Sequence, residues 1–166
     1  MLLEDLFARH HVELYRYAAR FTGDPDLAED VVQDVFVRFA ERPPSDQTAL
    51  RGWLYRVATT IAIDAMRGAS RRAVLMRDQS ERVPMGEAPP DPATQVEREE
   101  TRRQVRQALL QLSEKERAIL LMREEGFAHR EIAAAVGTTT QSVGTMIARA
   151  LEKLARHLDL DAEDAR

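Results

Sequence analysis

"EIAAAVGTTTQSVGTMIARALEKL", residues 131–154, has the pattern of two short helices that meet at a glycine. Gly137 tolerates the positive φ angle that the turn of a helix-turn-helix requires. Thr139 suits the N-cap of the second helix, because its hydroxyl can accept a hydrogen bond from a free backbone N–H. Apolar residues at helical spacing lie on both sides of the turn, so the two helices are expected to pack together. The stretch predicts a helical unit of the kind that reads DNA.

The first turns of the second helix carry hydroxyl and amide side chains. In a DNA-bound helix-turn-helix these positions face base edges in the major groove, while the helix N-terminus attracts phosphate. No lysine or arginine lies between Glu131 and Ala148, so a helical hairpin with a solvated polar face is the alternative interpretation. The candidate DNA contacts are Arg130, Thr139, Thr140, Gln141, Ser142, Thr145, Arg149 and Lys153.

The charge of the chain is distributed unevenly. The net charge of the 166 residues is -4, which argues against a protein that coats nucleic acid on its own. Residues 1–50 contain 5 basic and 10 acidic residues, whereas residues 51–82 contain 7 and 3. Basic character is therefore concentrated in one internal segment.

Three further helices are predicted before residue 70. Apolar spacing from Leu3 to Phe21 predicts the first, and Asp24 followed by Pro25 is a favourable start for the second. The third is expected to begin near Ser45 or Asp46 and to fade around Gly68. We find no alternation typical of strands. The sequence predicts an all-α protein.

A proline-rich segment divides the chain in two. Residues 83–95, "VPMGEAPPDPATQ", contain four prolines and no periodicity, which is typical of a flexible linker. We place the linker at residues 81–96, between an N-terminal helical domain at 1–80 and a helix-turn-helix domain at 97–158. Within the latter, Ser113 and Glu116 have the spacing of a capping box. Residues 159–166 form an acidic tail without an assigned role.

Two helix faces are candidate binding surfaces. On the second helix, two acids and an amide lie beside an apolar position, opposite the core face, and this arrangement suits a basic partner helix. On the third helix, basic and hydroxyl side chains share one face, which suits the backbone and bases of a DNA strand. Trp53 lies on the apolar side and is expected to be core. The second-helix set is Asp30, Gln33, Asp34 and Val37, and the third-helix set is Arg56, Thr59, Thr60, Asp64, Arg67, Arg71 and Arg72.

Three segments in this order resemble the bacterial sigma factors of the extracytoplasmic-function (ECF) type. "DPDLAEDVVQDVFVRFAER" (24–42) is similar to the family's polymerase-binding helix, and "LRGWLYRVATTIAIDAMRGASRR" (50–72) to its segment that opens and reads the -10 promoter element. "ALLQLSEKERAILLMREEGFAHREIAAAVGTTTQSVGTMIARALEKL" (108–154) is similar to its -35 reading domain. The family often has cations where this chain has Gly144 and Met146.

The resemblance implies a function and partners. It implies that the chain directs core RNA polymerase to promoter DNA, binding a coiled coil of the largest polymerase subunit through Asp30, Gln33 and Asp34. It also implies that an anti-sigma protein clamps the free factor. Two other functions remain open: a stand-alone helix-turn-helix regulator, and a sigma-like decoy that binds protein but not DNA.

The sequence contains no recognisable catalytic or metal-binding pattern. It has no cysteine, and its four histidines lack the spacing of metal ligands. It has no phosphate-binding glycine loop, no signal-like apolar core and no run long enough to span a membrane. We therefore expect a cytoplasmic protein that is not an enzyme, requires no cofactor and does not insert into membranes.

Overall fold

The structure, a computed structural model, describes residues 3–75 and 92–164, and all regular structure in these ranges is helical. The all-α prediction is confirmed. A single 3₁₀ turn, Gln47–Ala49, precedes the third α-helix. The α-helices in the described ranges are α1 (Leu3–Thr22), α2 (Pro25–Glu41), α3 (Leu50–Leu75), α4 (Pro92–Gln111), α5 (Glu114–Glu124), α6 (His129–Val136) and α7 (Thr140–Asp164).

Residues 3–75, the N-terminal half, form a three-helix unit. The hairpin of α1 and α2 packs against α3 around fully buried apolar and aromatic side chains such as Leu14, Phe21, Val31 and Leu54. Asp24 caps α2 as predicted, since its Oδ1 accepts hydrogen bonds from the backbone N–H groups of Asp26 and Leu27. The apolar side of α2 is buried at Val31, Val32, Val35, Phe36 and Phe39 and half-buried at Leu27.

Residues 92–164, the C-terminal half, place α5, α6 and α7 in mutual contact, with α4 against α7. The predicted capping box at the start of α5 is confirmed: Ser113 Oγ accepts from Glu116 N, and Ser113 N donates to the Glu116 carboxylate. Gly137 ends α6 with a φ of 66°, the left-handed conformation expected for the turn. The helix-turn-helix geometry follows from these local signals.

Four predicted boundaries differ from the structure. α3 begins at Leu50, after the 3₁₀ turn, rather than near Ser45 or Asp46. α3 continues past Gly68 to Leu75, because one interior glycine costs a helix only about 1 kcal/mol. α4 begins at Pro92, inside the predicted linker, since proline is favourable in a first helical turn. Residues 81–91 of that linker lie outside the described residues. The backbone of α7 runs through most of the predicted acidic tail, to Asp164.

The two halves pack directly against each other. α1 contacts α4 and α5, and α3 contacts α5 and α6. The backbones approach closely at Gly23, whose φ is 70°, because a Cβ there would lie 2.8 Å from Leu110 Cδ1. On α7, Leu151 is half exposed, whereas Ala150 is buried. None of the described helices is long and apolar enough to cross a membrane.

Candidate functional site

The acidic face of α2 points away from the protein core, toward solvent. Val31, Val32, Val35 and Phe36 are buried, whereas the predicted binding set points to solvent. Val37 is 54% exposed and supplies an apolar spot among the polar groups. An acidic face with one exposed valine is suited to a basic helix that also carries an apolar residue. The exposed set is Asp30, Gln33, Asp34 and Val37.

The solvent face of α3 is basic at its C-terminal end. Arg67, Arg71 and Arg72 are exposed there, with the last two about one helical turn beyond Arg67. Arg56, Thr60 and Asp64 continue the face toward the N-terminus, and all are exposed. The Thr60 hydroxyl donates to the backbone carbonyl of Arg56 at 3.0 Å, so it is directed along its own helix.

Thr59 requires a correction. We placed it among the DNA-contacting residues, but its side chain is 2% exposed. Its hydroxyl donates to the Tyr55 carbonyl at 2.7 Å and shares a hydrogen bond of 2.6 Å with the Tyr17 hydroxyl. A hydroxyl held inside the N-terminal half is not available to DNA, so Thr59 is a structural residue that joins α1 to α3.

Arg67 is not free on its helix. Its Nε and Nη2 donate to the two oxygens of Glu114 at 3.3 and 2.7 Å, across the boundary between the halves. These hydrogen bonds and the nearby carboxylate charge raise the pKa of Arg67. The predicted strand-contacting surface therefore has one of its arginines engaged by the C-terminal half.

The N-terminal turns of α7 present the predicted polar side chains. Thr139 caps the helix as expected: its Oγ1 accepts from Ser142 N at 3.3 Å and pairs with Ser142 Oγ at 2.8 Å. Thr140, Gln141 and Thr145 are exposed. Thr139 and Ser142 are therefore engaged with each other, whereas the other three point freely to solvent.

Cations flank this surface. Arg130 and Arg149 are exposed, while the Lys153 ammonium binds the Glu116 carboxylate of α5. That hydrogen bond is the main reason why the pKa of Glu116 is lowered, with the capping contact from Ser113 adding to it. Lys153 therefore braces α7 against α5. At Gly144, a Cβ would lie 3.7 Å from His129 Cε1, an ordinary contact, so the site has room for a side chain.

A groove runs between the start of α3 and helix α6. Trp53 and Arg56 line one wall, and Glu131 with Ala134 lines the other. Trp53 is half buried and meets Phe39 edge-on at 6.0 Å, so it lies at the margin of the core rather than within it. The groove thus lies between a helix of the N-terminal half and a helix of the C-terminal half.

Sequence reasoning missed the residues that join the halves. Arg117 is 3% exposed, and its guanidinium donates to the carbonyls of Phe21, Leu109, Leu110 and Leu112 at 2.6 to 3.1 Å. An arginine on the buried face of a helix is unusual, so the position of Arg117 on that face of α5 is the feature that could have identified it. Burial lowers the pKa of Arg117.

A second cluster surrounds Arg51. Its guanidinium lies over the rings of Tyr55 and Phe127, 5.1 and 4.3 Å from their centroids. The same group donates to the Glu125 carbonyl at 3.2 Å and lies 3.5 Å from the Glu13 carboxylate. Within the described ranges, no three histidine or carboxylate side chains are arranged to hold a metal ion.

Two family models match the chain. Sigma-70 region 2 matches residues 6–72, which span α1 to most of α3. Sigma-70, region 4, matches residues 102–154, from α4 into α7. The two matches coincide with the two halves that the structure places side by side.

Curated relatives of the chain are also described as sigma factors. The chain is 30% identical to the ECF RNA polymerase sigma factor SigL of Mycobacterium tuberculosis over 157 residues, 92% of this chain and 86% of that protein. It is 33% identical to SigG of the same species over 165 residues, but there it spans only 45% of the relative's length.

A solved structure shares the fold. The sigma factor RpoE of Bartonella quintana, in complex with the anti-sigma factor NepR, superposes with a TM-score of 0.72 at 21% sequence identity. The match covers 95% of this chain and 97% of that one. Because the match extends over nearly the whole length of each chain, it includes both halves.

Proposed function

The chain belongs to the extracytoplasmic-function RNA polymerase sigma factors, and we propose that it directs core RNA polymerase to specific promoters in transcription initiation. The observation that carries the proposal is that regions 2 and 4 of the family both match, in order, on the two halves. The role is one of binding, without catalysis, and the proposed location is the cytoplasm.

We propose that polymerase binds the acidic face of α2. Asp30 and Asp34 would pair with basic side chains of the coiled coil in the largest polymerase subunit, with Gln33 as a hydrogen-bonding partner. Val37, 54% exposed, would supply the apolar contact. The exposure of this whole face in the present structure supports the assignment, because no rearrangement is needed to reach it.

We propose that the two DNA-binding surfaces act on separate promoter elements. The basic end of α3 would hold the displaced strand at the -10 element, through Arg67, Arg71 and Arg72. The start of α7 would enter the major groove at the -35 element, with Gln141 and Thr145 facing bases and Arg149 on phosphate. Supporting this division, most of these side chains are exposed.

The domain boundaries remain part of the proposal. Residues 1–80 would bind polymerase and the -10 element, residues 81–96 would link the domains, and residues 97–158 would read the -35 element. An anti-sigma protein would bind the free chain, as NepR binds RpoE. The acidic tail has no proposed role.

The test is charge reversal on α2. The variant Asp30→Lys/Asp34→Lys should lose association with core polymerase in a pull-down, because two attractive contacts become repulsive. The matched control is Glu99→Lys/Glu152→Lys, which changes the net charge equally at exposed sites on α4 and α7. Circular dichroism should show both variants folded.

The outcomes separate the candidate functions. Equal polymerase binding by both variants would show that the interface lies elsewhere. Specific DNA binding by the chain alone, without polymerase association, would indicate a stand-alone regulator. Polymerase association without promoter-dependent transcription would indicate a decoy.

A further inference from the structure

We propose that Lys115 and Lys153 position the helix α7 for reading the -35 element, and that neither lysine contacts DNA itself. This inference rests on the proposed sigma-factor function and adds which residues set its selectivity. Lys115 binds the Gly137 carbonyl, and Lys153 binds the Glu116 carboxylate. These two contacts are called the α7 brace, and all four residues belong to the C-terminal half.

The first contact of the brace holds the turn that precedes α7. Lys115 Nζ donates to the backbone carbonyl of Gly137 at 3.3 Å. Gly137 is the left-handed residue that ends α6, so its carbonyl belongs to the turn that directs the chain into α7. The helix begins three residues later, at Thr140. A charged donor on this carbonyl therefore ties the start of α7 to the first turn of α5.

The second contact holds α7 further along its length. Lys153 Nζ donates to Oε1 of Glu116, and the other carboxylate oxygen accepts from the backbone N–H and the hydroxyl of Ser113 at 3.1 and 2.9 Å. Glu116 is thus fixed by the cap of α5, and its side chain is only 16% exposed. Because the carboxylate is held in place, it gives the lysine a defined position. α7 is therefore attached to α5 at a second point.

The residues proposed to read DNA lie between these two points. Lys153 lies thirteen residues after Thr140, which is roughly 20 Å further along the helix. Gln141, Thr145 and Arg149 fall inside this span. Both contacts lead to the first turn of α5, so that turn determines the direction of the α7 axis within the C-terminal half.

The composition of α7 makes its placement important. No lysine or arginine lies between Glu131 and Ala148, so the side chains proposed to face bases, Gln141 and Thr145, are shorter than those cations. A hydrogen bond to a base edge needs a donor–acceptor distance of about 2.7 to 3.2 Å. A short side chain cannot compensate for a tilted helix. A site of this kind needs supporting contacts that hold it within about 0.5 Å, and the α7 brace supplies them.

Lys153 is directed away from the proposed DNA surface. At about 100° per residue, it lies about 120° around the helix from Gln141. Its ammonium faces α5, where it binds Glu116. The sequence predicted Lys153 as a DNA contact, whereas in the brace it acts on DNA through the direction of α7.

The test measures -35 selectivity in the complex of the full chain with core polymerase, the holoenzyme. Selectivity is the ratio of its affinities for a promoter mapped from transcripts after overexpression and for the same promoter with the -35 element scrambled. Lys153→Met and Glu116→Gln should each lower this ratio about two- to fivefold, the range expected for an exposed ion pair. The double variant should lose no more than either single one, because both remove the same contact.

A phosphate contact by Lys153 predicts a different pattern. Glu116→Gln would then free the lysine and tighten promoter binding, whereas Lys153→Met would weaken it and lower the salt slope by about 0.9. In the positioning role, Lys153→Met leaves the salt slope unchanged, and Lys153→Arg, which keeps a charged donor for the carboxylate, restores the selectivity. Opposite effects of Glu116→Gln and Lys153→Met, or a lower salt slope, would overturn the inference.

Lys115→Met tests the other contact. It should also lower the -35 selectivity, and its loss should add to that of Lys153→Met, because the two contacts hold different ends of α7. Lys115→Arg should restore the selectivity. The affinity for the promoter with the scrambled -35 element should change little in any of these variants.

The matched controls remove the same charges outside the brace. Arg106→Met on α4 and Glu152→Gln on α7 are at exposed sites and should leave the ratio unchanged. Circular dichroism should show the same helical content in all variants. Glutamine at position 116 still accepts a hydrogen bond from Ser113, so the cap of α5 is retained.

The outcomes separate this inference from the proposed function. Failure of the unmodified chain to bind polymerase or a promoter would overturn the proposed function. Promoter binding with unchanged -35 selectivity in either lysine variant would overturn the positioning role of that lysine alone. An unmodified holoenzyme with no preference for the intact -35 element would overturn the inference for both lysines while leaving the proposed function in place.

Discussion

Arg117 shows how a single residue connects local structure to the whole chain. Its side chain satisfies carbonyls at the ends of α1 and α4 and lies 5.3 Å from the centre of the Phe21 ring. A buried carbonyl left without a donor loses the hydrogen bond and still lacks water. Its contribution therefore depends on the set of acceptors rather than on a single ion pair.

Replacing Arg117 with methionine should destabilise the protein by about 3 kcal/mol or more, because several buried carbonyls lose their donor at once. Urea unfolding followed by circular dichroism measures the change. Arg123→Met, at an exposed position of the same helix, is the control and should change stability by less than about 0.5 kcal/mol. Similar losses in both variants would mean that Arg117 acts through helix propensity alone.

Two tyrosines make stability sensitive to alkaline pH. Burial raises the pKa of Tyr17 and of Tyr55, and for Tyr55 the charges of Glu13 and Glu125 add to the effect. A folded-state pKa above the unfolded value of about 10 means that the stabilisation is complete below pH 10 and is lost as the pH rises. Each tyrosine should lower the free energy of unfolding by up to about 1.4 kcal/mol per pH unit in that range.

Urea unfolding from about pH 8 to pH 11 tests this dependence, with the tyrosines replaced by phenylalanine. Tyr17→Phe should remove part of the alkaline loss, and Tyr17→Phe/Tyr55→Phe most of it. Thr59 keeps its hydrogen bond to the Tyr55 carbonyl in the first variant, so its hydroxyl is not orphaned. An unchanged slope in the double variant would assign the alkaline loss to other groups.

At the scale of the element, α7 begins with a well-formed cap but contains an interior glycine, which has a low helix propensity. Thr139 caps the helix, but Gly144 lies one turn further on, where the family often has a cation. Its backbone is not left-handed, and a Cβ would meet only His129 at an ordinary distance. The site therefore accepts a side chain without strain.

Gly144→Lys should raise stability by about 0.5 to 1 kcal/mol through helix propensity. It should also tighten promoter binding at low salt and steepen the salt dependence by about one unit through a new phosphate contact. Gly144→Ala is the control, since it gains the propensity without the charge. The measurement is holoenzyme binding at a promoter mapped from transcripts after overexpression. Equal promoter affinity of the two variants would show that residue 144 does not contact the DNA phosphate backbone.

Elements were predictable where local signals specify them. Asp24, Ser113 and Gly137 each set a boundary through chemistry within four residues, and the structure has all three boundaries as expected. The start of α4 and the end of α3 were misplaced, because prolines and glycines near helix ends do not by themselves show whether a helix continues. Thr59 was misassigned for a related reason: its partner, Tyr17, lies 42 positions away in sequence.

At the scale of the molecule, no spacing pattern in the sequence predicted the contact between the two halves. Arg51, Tyr55 and Phe127 form one cluster although more than 70 positions separate its two parts. A proline-rich stretch between two helical units predicts that the units do not pack against each other. Whether they do associate depends on how well their surface side chains fit together. The exposed faces of α2 and α3 were predictable because each depends only on the period of one helix.

Association of the halves should make unfolding cooperative. Each half alone has a thin core, since a domain of about 60 to 80 residues buries only about 60% of the surface exposed by its unfolded chain. Burying Tyr55, Phe127 and Arg117 between the halves couples their stabilities. The full chain should therefore show one calorimetric transition, with the van't Hoff enthalpy equal to the calorimetric enthalpy.

Arg20→Glu/Arg51→Glu should separate that transition into two, because charge repulsion at Glu124 and Glu125 uncouples halves that each keep their own core. Arg9→Glu/Arg16→Glu carries the same charge change at exposed sites of α1 and should retain one transition. Two transitions in the unmodified chain would mean that the contact between the halves is too weak to link their unfolding.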